Sequence, residues 1–186
     1  MLLRWKLAWK RWISIGIRRE EKSVWESRAP LAPSHVSRLT RSNVKFVVQP
    51  SGIRVFADSE YASAGAEISP DLSSCDLIIG VKEIPENQIM SNKTYMCFSH
   101  THKGQAYNMG KLRRYLESGS SLIDYELLTN NDGQRVVAFG KFAGYAGMIN
   151  CLHGMGLQLL NRGFRTPFLV NNYTSGILQV TIVYRM

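Results

Sequence analysis

The sequence predicts an α/β fold, a mostly parallel open sheet with flanking helices. Three observations carry that expectation. First, three apolar runs in mid-chain each end in ionisable residues: residues 76–81 run into Lys82-Glu83, residues 93–99 into His100, and residues 121–123 into Asp124-Tyr125-Glu126. Second, short helical patterns alternate with strand-like ones, the signature of helices laid on the faces of a parallel sheet. Third, 186 residues with 45% hydrophobic and 20% charged content are enough for one domain with a real core. If the three runs are neighbouring parallel strands, a lysine, a histidine and several acids collect at the carboxyl edge of one sheet. That edge is where open α/β folds bind ligands.

Taken in order, residues 12–17 read as the first strand, followed by a charged segment over 18–22. Pro30 and Pro33 frame a turn. Ser34 is expected to N-cap a helix reaching about Thr40, because its hydroxyl can accept from the unpaired amides of a first turn. Residues 44–48 form a β-branched run closed by Pro50-Ser51-Gly52, a second strand and turn. Asp58 is expected to cap a short helix over 59–64, with Gly65 as its C-terminal stop. The three runs follow, with a helix near 109–118 between the second and third. Asp132-Gly133 is a hairpin-type turn leading into a strand-like run over 135–139.

Residues 140–162 read as one long helix. Gly140, Gly144 and Gly147 fall near one face of it, and each costs up to about 1 kcal/mol relative to Ala. Their spacing predicts that another backbone comes close there. A phosphate-cradling loop would need GxGxxG directly after a strand. The nearest match, Gly154-Met155-Gly156, follows helical sequence and has Leu159 where the third glycine belongs. Residues 1–12, 13–165 and 166–186 thus read as a head, an α/β body and a divergent apolar tail.

The formal charge of +9 comes from the ends. Residues 1–19 hold six Lys/Arg and residues 161–186 hold three, with no acid in either segment, which leaves 14 basic and 14 acidic residues between them. A nucleic-acid-binding face needs its positive charge gathered on the folded body, so nucleic acid is excluded as a partner. Cys75, Cys97 and Cys151 are odd in number and widely spaced, which argues against a disulfide framework or a zinc site and for a reducing compartment. Cys97 and His100 fall on opposite sides of a strand, so no metal is expected. The head alternates bulky apolar and basic residues. Its apolar runs are too short to span a bilayer, and on a helix it is basic and amphipathic, as in a mitochondrial transit peptide.

The residues that could do chemistry lie at the ends of the runs. Lys82 and His100 occupy equivalent places on successive strands. A lysine crowded by cations and partly desolvated loses its proton more readily, and histidine titrates near neutral pH, so the two make a workable acid/base pair. Arg28 can hold a carboxylate in bidentate fashion. Lys103 and Arg135 add positive charge, while Glu26, Glu83 and Glu126 limit repulsion among the cations and can hold a substrate ammonium.

At these residues the sequence resembles a known family. Residues 15–20 and 26–33 are similar to the opening of alanine dehydrogenases and nicotinamide nucleotide transhydrogenases. Residues 76–83, 98–103, 122–126 and 133–144 more closely resemble the saccharopine-forming lysine–2-oxoglutarate reductase half of animal α-aminoadipic semialdehyde synthase. The resemblance covers roughly residues 13–168. It implies a domain of the alanine dehydrogenase N-terminal type and an NADPH-dependent reduction of the imine between L-lysine and 2-oxoglutarate in the mitochondrial matrix. It further implies acid/base roles for Lys82 and His100, a carboxylate-holding role for Arg28, tuning by Glu83 and Glu126, and substrate contacts from Glu26, Lys103, Arg135 and Phe139.

Family members continue into a dinucleotide-binding domain, so this chain is expected to bind NADPH loosely at most. Two alternatives stand beside this reading. One is an alanine-dehydrogenase-like oxidoreductase, and the other a non-enzymatic truncated isoform that binds full-length subunits through the 140–162 helix. Incubated alone with lysine and 2-oxoglutarate, the chain is expected not to oxidise NADPH. Absorbance loss at the nicotinamide band above the protein-free blank would refute this.

Overall fold

The computed structural model describes residues 13–138 and 140–166. The expected head (1–12), most of the expected tail (167–186) and Phe139 lie outside the described residues. Six strands form one sheet: β1 (Ile13–Ile17), β2 (Val44–Val48), β3 (Glu67–Ile68), β4 (Leu77–Lys82), β5 (Thr94–Phe98) and β6 (Ser121–Asp124). Their spatial order is β3-β2-β1-β4-β5-β6, and every neighbouring pair is parallel. The strand order reverses between β1 and β4, which makes that gap the topological switch point of the sheet.

Alternation of side chains along the strands sorts the core into two layers. Ile78 joins Tyr95, Cys97 and Tyr115 on one face, whereas Ile79 joins Ile17, Phe46, Val48 and Tyr61 on the other. α1 (Pro33–Thr40) and α2 (Asp58–Ser63) cover the second face through Val36 and Tyr61. α3 (Ala106–Glu117) covers the first through Tyr115. Both faces being covered explains why β4 reads as an unbroken apolar run. The Tyr61 hydroxyl donates to the Leu31 carbonyl at 2.6 Å and ties α2 to the segment entering α1. Cys75 and Cys97 are buried, and burial pushes the Cys97 thiol up to about 12; Cys151 is exposed.

Several local expectations are corrected. Ser34 does not cap α1: the helix begins at Pro33, where a missing N–H costs nothing, and the Ala32 N–H ahead of it donates to His35 Nδ1 at 3.3 Å. Asp58 lies inside α2 rather than ahead of it, and its carboxylate accepts from the Ser51 N–H and from Arg54. The Ala57 N–H is satisfied by Glu60 instead, at 2.7 Å. Gly65 does end the helix, with φ +94°. α3 starts at Ala106, a turn earlier than the sequence pattern indicates, and the two-residue strand β3 has no sequence signal of its own.

The expected run over 135–139, described as far as residue 138, forms no strand over 135–138. It makes a single antiparallel bridge between Thr129 and Arg135, because Leu127 and Val136 on its two sides are exposed and have no core to face. α4 (Lys141–Asn161) forms as one long helix, entered through Gly140 at φ +51°. Its glycines are not packing points among the described residues: a Cβ at Gly144 or Gly147 would meet nothing within 4 Å. The chain has by then left the sheet, and Tyr145, Met148 and Leu157 of α4 stay exposed. No helix among the described residues is long and apolar enough to cross a membrane.

Gly80 permits the tightest approach within the sheet. A Cβ there would lie 2.9 Å from Arg18 Cδ and 3.2 Å from Glu20 Oε1. Gly80→Ala is expected to cost about 1–3 kcal/mol through overpacking. It should appear as a lower urea midpoint at unchanged slope; an unshifted midpoint would show that these neighbours move aside freely.

Candidate active site

The carboxyl ends of β1 and β4 open on a cavity of about 340 Å³ lined by Lys22, Ser23, Trp25, Glu26 and Lys82. Lys82 is the last residue of β4 and is half-buried. In the β4–β5 ladder it stands opposite Phe98, two residues before His100. Lys82 and His100 therefore end adjacent parallel strands on one rim, as the sequence predicts.

His100 sits in the left-handed region at φ 55°, an uncommon conformation for a residue other than glycine and one that clusters at functional sites. The turn aims its Nδ1 at Glu126 Oε2, 2.9 Å away. A carboxylate only accepts, so Nδ1 carries the proton of this hydrogen bond and Nε2 is the nitrogen left to act in proton transfer. Phe98 stacks beside the imidazole at a centroid distance of 6.4 Å.

Glu126 is the hub of this half of the rim. Its Oε1 accepts from Lys103 Nζ at 3.2 Å and lies 3.6 Å from Arg135 Nη1. Partial desolvation pulls its carboxyl upward, but the His100 and Lys103 hydrogen bonds outweigh that and hold it below the usual range. Asp124 fixes the hub by accepting from the Glu126 N–H at 2.8 Å.

A second carboxylate organises the β4 side. Glu83 is buried; its Oε1 accepts from Lys22 and lies 3.5 Å from Lys111 Nζ, while Oε2 has no partner among the described residues. Desolvation raises its carboxyl, and the hydrogen bond from Lys22 brings the balance below the ordinary value. Glu26 lines the cavity and is clasped by Arg28 through Nε and Nη2. Arg28 is thus paired within the chain.

The expected site residues therefore fall into two clusters on one rim. Glu126 gathers His100, Lys103 and Arg135, while Glu26 and Lys82 line the cavity, with Arg28 paired to Glu26 and Glu83 to Lys22 of its wall. Sequence reasoning missed Lys22, Trp25 and Lys111. Lys22 lies in the segment read only as charged, and its place between acids and an aromatic was the available signal. For a metal, His102, Asp124 and Glu126 bring ligand atoms within 4.8 Å of one another. Glu126 is already surrounded by cations, and Asp124 already accepts from Ser99 and Glu126, so a divalent ion would meet repulsion and occupied oxygens. For a dinucleotide phosphate, Gly154 and Gly156 lie inside α4 and form no loop.

Residues 16–146 match the family model described as the alanine dehydrogenase/PNT N-terminal domain. The chain belongs to that family. It is 49% identical over 155 residues to the α-aminoadipic semialdehyde synthase, mitochondrial, of Mus musculus, covering 83% of this chain and 17% of that protein. It is 34% identical over 146 residues to the saccharopine dehydrogenase [NAD(+), L-lysine-forming] of Neurospora crassa, covering 76% of this chain and 39% of that one. The chain thus spans well under half the length of these relatives. Among solved structures, a transhydrogenase from Sinorhizobium meliloti superposes with a TM-score of 0.63 at 20% identity, over 74% of this chain and 43% of that chain. This likeness bears on the fold alone. The parallel sheet, its flanking helices and the rim at the switch point are those of an alanine dehydrogenase/PNT N-terminal domain.

Because the Glu126 carboxyl titrates lower in the folded chain than in the unfolded one, its ion pairs add stability above the unfolded carboxyl range. That stability is lost as pH falls through the lowered value. Glu126→Gln is therefore expected to be less stable than the unaltered chain at pH 7, with the gap closing in acid. Urea unfolding at stepped pH would show it, and a gap independent of pH would rule it out.

Proposed function

We propose that this domain binds L-lysine and 2-oxoglutarate and carries the proton transfers that join them, as the substrate-binding part of a saccharopine-forming lysine–2-oxoglutarate reductase of lysine breakdown. The observation that carries the reading is that Lys82 ends β4 and His100 follows the end of the adjacent parallel strand β5, with Lys82 lining a cavity at the switch point. The relatives point the same way, one being an α-aminoadipic semialdehyde synthase and the other an L-lysine-forming saccharopine dehydrogenase. The mouse relative's name also favours a mitochondrial location.

In the proposed reaction the lysine ε-amine attacks the ketone carbon, and the ketone oxygen takes up a proton as the carbinolamine forms. The amine nitrogen then loses its proton, and the hydroxyl leaves as water after protonation. Each step moves one proton near neutral pH, the task of a lysine and a histidine acting in alternation. Lys82, in the cavity wall, serves the oxygen; His100, oriented by Glu126, relays through Nε2. The two carboxylates of 2-oxoglutarate need fixed positive charge, which Arg28, Lys103 and Arg135 supply. Glu26 beside Arg28, and Glu126 beside Lys103 and Arg135, keep those cations from repelling one another, while Glu83 holds Lys22 and Lys111.

NADPH supplies the hydride that reduces the imine in the complete enzyme. The described residues offer it no phosphate loop, so its grip would come from outside them. The exposed apolar residues of α4 favour a second reading, in which the chain docks on further subunits through that helix.

Imine formation needs no nicotinamide, so it can be assayed on this chain. Cyanoborohydride traps the imine of lysine and 2-oxoglutarate as the secondary amine, and the product is counted by mass spectrometry. The chain should accelerate trapping, and Lys82→Met or His100→Gln should each remove about 10²-fold or more of that acceleration. Rates indistinguishable from the protein-free reaction, or untouched by both substitutions, would end the reading.

A further inference from the structure

The ladder between β4 and β5 is interrupted just before Lys82. Pairing runs from Leu77 opposite Thr94 to Ile79 opposite Met96, and it resumes only with Lys82 opposite Phe98. Three steps along β4 thus match two along β5, so one residue bulges out of β4. A bulge leaves backbone groups without ladder partners and re-aims the side chains that follow it.

Glu20 supplies the missing partners. Its side chain is 3% exposed. Its Oε1 accepts from the Val81 N–H at 2.7 Å and its Oε2 from the Lys82 N–H at 3.0 Å. Burying a carboxylate is costly unless its oxygens are hydrogen-bonded and its charge is met. Arg18, 4% exposed, meets that charge from 3.7 Å. The guanidinium is itself held by Gln88 at 3.1 Å, and the Arg18 N–H is fastened to the Ile79 carbonyl at 3.0 Å. Gly80 completes the device, since any side chain there would strike the Arg18 stem and Glu20 Oε1.

The arrangement bears on which residue faces the cavity. Val81 is 3% exposed and packs inward, while Lys82 lines the cavity. Side chains alternate along a strand, so a one-residue slip at the bulge would exchange the two. It would turn an ammonium into the core and a valine toward the ligand.

We propose that Glu20 is the positioning residue for Lys82, clamping the β4 bulge through two backbone amides so that the lysine stem points into the substrate cavity. The proposal rests on the reading of Lys82 as a proton-transferring group. Its central claim, that Glu20 sets the place of Lys82, is tested without any reaction.

The experiment uses the full chain and Glu20→Gln, a neutral isostere whose amide can accept from only one of the two N–H groups and opposes the other. Lys82 reactivity is read by competitive acetylation with acetic anhydride across pH, quantified by peptide mass spectrometry against exposed Lys45. Cyanoborohydride trapping runs in parallel. In folded Glu20→Gln, checked by circular dichroism, the Lys82 acetylation profile should shift while that of Lys45 stays put. Chain-dependent trapping should fall roughly tenfold or more, the scale of an ångström-sized misplacement. An unchanged Lys82 profile in folded Glu20→Gln overturns the proposal.

If trapping is indifferent to Lys82→Met, the proton-transfer reading fails, and the acetylation profile still decides the positioning claim. Should Glu20→Gln not fold, Gly80→Ala takes its place below its unfolding temperature, since its Cβ displaces the same carboxylate. A shifted Lys82 profile supports the clamp, and an unshifted one refutes it.

Discussion

The parallel pairing of β1 with both β2 and β4 is the constraint on which the rest depends. β1 sits at the centre of the sheet, and its two partners begin in different halves of the chain order. Because all three run the same way, their carboxyl ends fall on one rim, and the loops leaving them diverge. That divergence opens the cavity between the segment after β1 and the end of β4. The close approach of β1 to the neighbouring layer needs Gly16, where a Cβ would meet Cys75 Sγ and Leu72 Cδ2 at 3.1 Å. Backbone geometry thus sets the position of the rim before any charged side chain is considered.

The electrostatics of the rim follow a consistent plan. Two acids at the strand ends are each met by two cations: Glu126 by Lys103 and Arg135, beside its hydrogen bond to His100, and Glu83 by Lys22 and Lys111. Carboxylates held in this way stay ionised despite partial burial, and the cations around them are kept close together without a bound anion.

The three apolar runs were legible because each is a continuous β-branched or aromatic stretch closed by polar residues, and a buried parallel strand leaves that trace. The placement of Lys82 and His100 followed from strand ends alone. The segment after β1 was not legible: Arg18, Glu20 and Lys22 look like a solvated charge run, yet the first two are among the most buried charged residues described. Composition cannot distinguish a charge that points outward from one that satisfies a broken ladder. The bulge escapes notice for a related reason, since one extra residue in an apolar strand changes no pattern. The glycines of α4 misled in the opposite sense. Small residues on one helical face imply a close neighbour, and no described element provides it.

The cysteines described with the core have a practical consequence. Cys75, just before β4, and Cys97, on β5, are shielded from solvent, with both thiols raised by burial. Cys151 alone is exposed, on the helix farthest along the chain from the strand-end chemistry. A maleimide fluorophore will therefore attach at one place without mutagenesis, and its anisotropy will register whatever comes to rest on that helix while the rim stays chemically untouched.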